Sequence, residues 1–383
     1  MSTWMMRRVM PSGQVLPARS CYDLPMNVTS SALTRLAVVL AIPAALLATS
    51  AQRGVSTPGP VPGPTKPEPH LSNIKQLTKS GQNAEAYVSA DGSRISFQSM
   101  DGAQQCDQIY TMRLDGTDRR QVSNGQGATT CAYVYPDNKS VLYGSTHLGG
   151  RECPPRPGME NGYVWAVYDS YDIFKANIDG SNPVQLTKTP GYDAEATIAR
   201  DGGIVFTSVR DGDMEVYSMN GDGTNVKRLT NMPGPDGGPF VSADGKQIVW
   251  RGRHPAPGAE LDEYFSLLKK ALWKPTSVEL FTMNRDGSNP RQVTSLGKAS
   301  FAPFFSPDGK KIIFASNYHD PRGRNFDIFL VNIDGTGLEQ VTFNDTFDGF
   351  PMFSPDGTKL VFASNRFGAK EGDTNVFIAD WKW

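Results

Sequence analysis

The chain has 383 residues, of which 38 are Lys or Arg and 39 are Asp or Glu, for a net charge of −1. A balance this even excludes the broad basic face with which nucleic-acid binders neutralise phosphates. The 38 glycines and 28 prolines suit many short strands joined by many turns, and amphipathic helical periodicity is scarce.

Residues 1–51 read as leader and signal peptide. Arg35 precedes a short apolar run, Leu36–Leu47, and Ala48-Thr49-Ser50-Ala51 follows it. This is the charged, apolar, small-residue order of an export signal, with cleavage after Ser50 or Ala51 and with Met26 as the alternative start. The run is short for a membrane span, so no stable span is expected after cleavage. The absence of a cysteine just after the run argues against a lipid anchor. Residues 52–73 are a linker, and within it the proline-rich stretch 56–69 is expected to be semi-rigid and unfolded. The expected location is periplasmic or secreted. Outside the leader lie Cys106, Cys131 and Cys153. Export lets two of them pair, and the sequence does not choose which. A three-thiolate zinc site is the alternative, although the spacings are not those of a zinc motif.

From residue 74 to 383 one pattern repeats. A turn recurs as Ser89-Ala90-Asp91-Gly92, Tyr135-Pro136-Asp137-Asn138, Ala199-Arg200-Asp201-Gly202, Ser242-Ala243-Asp244-Gly245, Ser306-Pro307-Asp308-Gly309 and Ser354-Pro355-Asp356-Gly357. Apolar strands flank each turn, as in Phe304-Phe305 before and Ile312-Ile313-Phe314 after. A third strand follows (Asp327-Ile328-Phe329), then a second Asp-Gly turn and a short fourth strand (Gln340-Val341-Thr342). Asp-Gly between β-branched and aromatic residues is a strong hairpin signal, because glycine accepts the positive φ of a tight turn. Four antiparallel strands make one blade, so the expected fold is all-β, a six-bladed β-propeller. The last copy ends without a fourth strand, and Lys75-Gln76-Leu77-Thr78 supplies it. The N-terminal strand would close the ring and cover an open edge.

The Ser-Pro-Asp-Gly turn, the serine after strand two (Ser99, Ser145, Ser208, Ser316, Ser364), the acidic-Ile-Tyr/Phe third strand and the Gln/Arg-Leu/Val-Thr fourth strand resemble the TolB-like propeller repeat. The resemblance covers residues 74–383. TolB itself carries an α/β domain ahead of its propeller, and here the proline-rich spacer stands in that place, so TolB's contacts are not carried over wholesale. The resemblance implies an envelope protein or peptide as partner. Related propellers also precede peptidase domains, for which this chain offers no following segment.

Turn positions 92, 138, 202, 245, 309 and 357 are spaced 46, 64, 43, 64 and 48 apart. The two long intervals place insertions at 147–170 and 253–277, both between strands two and three. That end of the blades therefore carries every long loop and is the expected binding face. Residues 259–272 are expected to form a helix with Leu261, Tyr264, Phe265, Leu268 and Leu272 on one stripe, packed down as a lid. In the first insertion Trp165, with the tyrosines beside it, is a candidate for lining a ligand groove or holding carbohydrate.

Aligning the inner strands gives a polar column (Asn83, Thr129, Asp193, Asp236, Ser300, Asp348) and, two residues deeper, Glu85, Cys131, Glu195, Gly238, Ala302 and Phe350. Asn83, Glu85, Asp193, Glu195, Asp236 and Asp348 are the candidate binding residues. Glu85, Asp193 and Glu195 are candidate metal ligands, with calcium as the cation that carboxylates and carbonyls would suit. Capping of loop backbone is the competing account of the same residues. The acidic residues opening strand three (Asp107, Asp172, Glu215, Glu279, Asp327) recur in successive blades and are expected to be scaffold. With no Gly-x-Ser-x-Gly elbow, the favoured function is a monomeric, non-catalytic module that binds a peptide or protein. The alternative is a metal-assisted hydrolase or lyase at the channel mouth, with His147 and His319 as bases.

Overall fold

The computed structural model describes residues 61–370 and 372–383. The leader reading falls outside the described residues. Six four-stranded antiparallel sheets follow one another along the chain and form a six-bladed propeller. Blade five is representative, with strands Ser300–Phe305, Lys311–Ser316, Asp327–Asn332 and the two-residue outer strand Glu339–Gln340. Blade six is completed from the other end of the sequence. Its strands Asp348–Phe353, Lys359–Ser364 and Asn375–Trp381 are joined by Leu71–Gln76, paired with Leu71 opposite Trp381 and Gln76 opposite Phe377. The closing strand therefore lies a few residues earlier than the apolar pattern placed it.

The repeated turn works through its serine and aspartate. Ser306 Oγ donates to Asp308 Oδ1 at 2.6 Å, and the same carboxylate accepts the Lys310 N–H at 3.1 Å. The fourth position needs a left-handed backbone. Gly309 supplies it at φ 71°, and in blade two Asn138 does so at φ 57°, a conformation asparagine tolerates better than most residues.

Inside each blade an aromatic on strand two faces an aromatic on strand three. The pairs Phe97–Tyr110, Tyr143–Phe174, Phe206–Tyr217, Trp250–Phe281, Phe314–Phe329 and Phe362–Phe377 have centroids 5.5–6.0 Å apart. Cross-strand aromatic pairs of this kind hold a sheet's register as well as burying area. Every inner strand also carries a bulge. Glu85, Cys131, Glu195, Gly238, Ala302 and Phe350 all take φ between 49° and 61°, and the strand register shifts at each of them. A bulge turns the strand end and re-aims its side chains, here in all six blades at the same depth.

Two expectations need adjusting. The helix spans Ala259–Leu268 and stops short of residue 272, because Ala271 turns the chain at φ 56° and Leu272–Trp273 becomes a strand. The proline-rich stretch is docked in its second half. Val61 N–H donates to the Gly368 carbonyl at 3.0 Å and Thr65 N–H to that of Phe343 at 2.7 Å. Glu68 accepts from both terminal guanidinium nitrogens of Arg366, Nη1 at 2.8 Å and Nη2 at 2.9 Å.

Candidate functional site

The two insertions meet. Strand Trp165–Ala166 of the first pairs antiparallel with strand Leu272–Trp273 of the second, placing Trp165 opposite Trp273 and Ala166 opposite Leu272. The helix before the second strand is bound to blade three, where Tyr264 Oη donates to Asp213 Oδ1 at 2.6 Å. Tyr264, Trp273, Val167, Met214, Phe301 and Phe326 share one apolar cluster, so the helical stripe packs down on the propeller as a lid. Cys106, just before strand three of blade one, and Cys153, in the first insertion, form a disulfide. It ties the root of the lid to blade one, while Cys131 stays a buried free thiol.

Two cavities flank the lid's Tyr163 and Trp165, which line both. One, of about 280 Å³, is walled by Tyr168, Tyr171, Tyr192 and Trp273, with Glu195 and Arg251 also in its wall. The other, of about 320 Å³, is walled by Phe301, Phe326, Phe347 and Phe350. Trp165 Nε1 donates to Tyr163 Oη at 2.8 Å, and its ring packs on Phe301 at 5.1 Å. The channel itself is nearly filled, with about 30 Å³ left among Glu85, Cys131, Glu195, Phe240, Arg251 and Phe350.

The acidic residues do not converge. Asp193 is held by Arg210 Nη2 at 2.9 Å. Asp236 accepts from Trp250 Nε1 at 2.7 Å and faces His254 Nε2 at 2.9 Å. Asp348 is paired with Arg366 Nη2 at 2.6 Å. Each of these three lies inside its own blade, at most 1% exposed. Asn83 accepts from Ser99 Oγ at 2.8 Å and donates to the Ser80 carbonyl. Only Glu85 and Glu195 reach the channel wall. Glu195 is paired there with Arg251 Nη2 at 2.7 Å and accepts the Gly238 N–H at 3.0 Å. Glu85 Oε2 accepts the Cys131 thiol at 2.8 Å and its backbone N–H at 3.1 Å. Among the described residues no group of three or more His, Cys, Asp or Glu is placed to hold a metal ion.

Strand three opens on a side chain that accepts from a hydroxyl two residues beyond the end of strand four. Thr294 donates to Glu279 at 2.6 Å and Thr342 to Asp327 at 3.1 Å. In blade one Ser123 donates to Gln108 at 2.8 Å, and Gln108 is also the residue opposite Ser99. Gln108, rather than the neighbouring Asp107, is therefore the equivalent position.

The loop-face histidines have a structural partner in every case. In blades three and six the aromatic pair is covered by a guanidinium, Arg210 at 5.3 Å from Phe206 and Arg366 at 5.1 Å from Phe362. Arg119 does this for blade one, 4.6 Å from Tyr110. In the remaining blades a histidine takes that place: His147 at 4.5 Å from Phe174, His254 at 4.9 Å from Phe281 and His319 at 5.8 Å from Phe329. A cation or imidazole over an aromatic face stabilises the blade end. The candidate bases His147 and His319 thus belong to blade ends two and five and do not face one reaction centre.

Beside one of these caps a carboxylate titrates in an observable range. His319 Nε2 lies 3.1 Å from Asp327 Oδ2. Burial, with the charge of Asp348 behind it, pushes Asp327 up to about 8, and burial holds His319 below its usual value. Folded, the pair keeps one proton until about pH 8, whereas in the unfolded chain both groups have lost theirs above the usual histidine value of about 6.5. The folded state binds the extra proton in that interval, so stability falls as the pH rises through it, by about 2 kcal/mol. Urea unfolding of Asp327→Asn should lack this decline. An unchanged slope would show that the pair does not hold the proton.

The sequence reading missed Arg251, Tyr171, Phe326 and the arginines that hold the carboxylates. A signal for the last was present. Where the inner column is Asp, the second residue beyond the end of strand two is cationic (Arg210, His254, Arg366), and where it is Ser, Tyr318 stands there.

The family model for the TolB β-propeller domain matches residues 271–379, within the span over which the sequence resembles the TolB-like repeat. Among solved structures, putative TolB from Agrobacterium tumefaciens aligns with a TM-score of 0.50 at 18% identity, over 79% of this chain and 91% of that one. TolB from Acinetobacter baumannii aligns with a TM-score of 0.50 at 19% identity, over 78% of this chain and 64% of that one. XC5397 from Xanthomonas campestris, described as a gluconolactonase, aligns with a TM-score of 0.53 at 13% identity, over 86% of this chain and 99% of that one. Likeness at such identities speaks for the shared propeller fold alone. No curated protein matches the chain in sequence.

Proposed function

We propose that the protein is an exported TolB-like propeller that acts as a non-catalytic peptide- or protein-binding module of the cell envelope, with its ligand on the face bearing loops 147–170 and 253–277. The observation that carries this reading is the pair of aromatic-walled cavities on either side of Tyr163 and Trp165. They lie where the two insertions that interrupt the repeat meet the blades. Rigid rings that present side-chain-sized cavities beside each other suit an extended chain, which places successive residues in successive pockets. Glu195 lines the tyrosine-walled cavity and, with Glu85, the small space left in the channel. The disulfide Cys106–Cys153 supports an oxidising compartment, in agreement with the export signal read at Leu36–Leu47. No helix among the described residues is long and apolar enough to cross a membrane. The hydrolase alternative draws less support, because its candidate bases, His147 and His319, serve two separate blade ends.

A photo-reactive residue placed at Met159, which is exposed and lines the tyrosine-walled cavity, should capture a recurrent polypeptide in the native envelope. The same residue at Asn289, in a tight turn on the opposite face, should capture none. Equal products from both positions, or none from Met159, would refute the reading.

A further inference from the structure

We propose that the phenylalanine-walled cavity takes the carboxyl-terminal residue of a polypeptide, its apolar side chain among Phe301, Phe326, Phe347 and Phe350 and its α-carboxylate on Lys298. The assignment rests on the loop-face reading above and names the part of the ligand that this cavity selects.

The cavity encloses about 320 Å³, at the small end of the ligand-pocket range of roughly 300–1,000 Å³. It suits one large side chain and the backbone atoms next to it. Its walls are aromatic, and two cations, Lys298 and Arg322, lie among its lining residues. Lys298 has neither hydrogen bond nor ion pair among the described residues, yet its position is fixed. The preceding Leu296 and Gly297 N–H groups both donate to Glu279 Oε1 at 2.7 Å, which pins the connection between blades four and five. Its ammonium lies over Gly323, 3.9 Å from where a Cβ on that residue would sit. Asn317 Nδ2 holds the same glycine by its carbonyl at 2.8 Å.

The loop's own carboxylate does not compensate Lys298. Asp320 is turned to the backbone, accepting the N–H groups of Arg322, Arg324 and Asn325 at 3.0, 2.9 and 2.9 Å. Arg322 itself is largely solvent-exposed and only 3.7 Å from Asp320 at its nearest. The rim therefore carries positive charge above an apolar well. The chemistry complementary to both is a carboxylate carried on an apolar body. A chain end supplies this, since the terminal residue joins the two groups through a single carbon. A charge-assisted contact with an otherwise unpaired ammonium discriminates the acid from its neutral amide.

The test compares two fluorescein-labelled pentapeptides, Gly-Ser-Gly-Leu-Phe with a free carboxyl terminus and the same sequence amidated, by fluorescence anisotropy on the full-length protein. The free acid should bind, and the amide should bind at least about tenfold more weakly. Lys298→Glu, at a half-buried side chain without partners, should melt like the unaltered protein and lose the preference. Phe326→Ala should weaken the free acid if it retains its fold, and Ala302→Trp, which fills the cavity from the channel side, gives an independent block. Equal binding of acid and amide would overturn the carboxylate assignment while leaving the loop-face reading intact. Failure of both peptides to bind would overturn the assignment, the crosslinking at Met159 deciding the broader reading separately. Displacement by 3-phenylpropionate as effective as by the unlabelled peptide would show that the cavity reads a small carboxylic acid rather than a chain end.

Discussion

Arg366→Ala should lower the stability of the protein by about 3–5 kcal/mol, the cost of stranding buried charge, and its melting temperature by on the order of 5–10 °C. Arg366 has no exposed surface, and it stands between two carboxylates, Asp348 at 2.6 Å and Glu68 at 2.8 Å. Burial alone would lower its pKa, but the charges of Asp348 and Glu68 and their hydrogen bonds raise it above the ordinary arginine value. Removing the guanidinium leaves both acids buried without their cation and strips the cover from Phe362. It also frees the segment before the closing strand, because Glu68 reaches blade six through this residue. The arginine pays for its own desolvation only through these two partners, so the losses should not add. Asp348→Asn in the Arg366→Ala background should recover part of the stability, with a coupling energy of about 1–3 kcal/mol. Arg366→Ala within 1 kcal/mol of the unaltered protein, by denaturant unfolding, would show that the triad contributes nothing net.

The same triad shows why the fold was more legible than the site. Blade number, strand order and closure depend on local chemistry repeated around the ring, the aspartate in all six turns and the serine in four. A serine and an aspartate two residues apart, followed by a residue that tolerates positive φ, carry the same meaning at Ser89 as at Ser354. Position within a blade is then a matter of counting. Asn83, Asp193, Asp236 and Asp348 share one register position opposite strand two, but the chemistry of that column depends on partners from outside the inner strand. Arg210 and Arg366 lie just beyond strand two, and Arg251 reaches Glu195 from the neighbouring blade at 2.7 Å. An alignment of inner strands alone shows a ring of negative charge, whereas the folded molecule contains a set of separate ion pairs.

The lid was legible in part. The stripe on 259–268 announces a buried face, and Tyr264 and Leu267 are indeed buried. That Leu272–Trp273 beyond it pairs with Trp165–Ala166, about a hundred positions earlier, left no trace, since a two-residue strand has neither period nor length to recognise. The docking of residues 61–70 was hidden for the opposite reason. Proline content predicts an extended chain correctly but is silent on whether one glutamate in it meets a buried arginine. Slipping from Gln108 to Asp107 had a simpler cause: an acidic neighbour looked more like the repeat than the amide that occupies its position.

Deleting residues 1–78 should make the protein associate through an exposed strand edge, and moving residues 61–78 to follow Trp383 through a short glycine-serine linker should reverse this. Without Leu71–Gln76 the third strand of blade six, Asn375–Trp381, becomes an edge. That edge is long and apolar, with Val376, Phe377, Ile378 and Trp381 all buried in the complete ring, and an unpaired strand of this composition recruits other chains. The deletion also removes Thr78, whose hydroxyl accepts the Val376 N–H at 2.9 Å, and Glu68, which holds Arg366. Permutation returns every one of these contacts while changing only the covalent order, since the closing strand runs antiparallel to its neighbour and Lys382 N–H already donates to the His70 carbonyl at 2.9 Å. Size-exclusion chromatography and a cooperative melt distinguish the outcomes. A deletion variant that elutes as a monomer and melts as the complete protein does would mean that three strands suffice for blade six. A permutant that aggregates like the deletion would mean that the N-terminal segment contributes something other than its pairing with Asn375–Trp381.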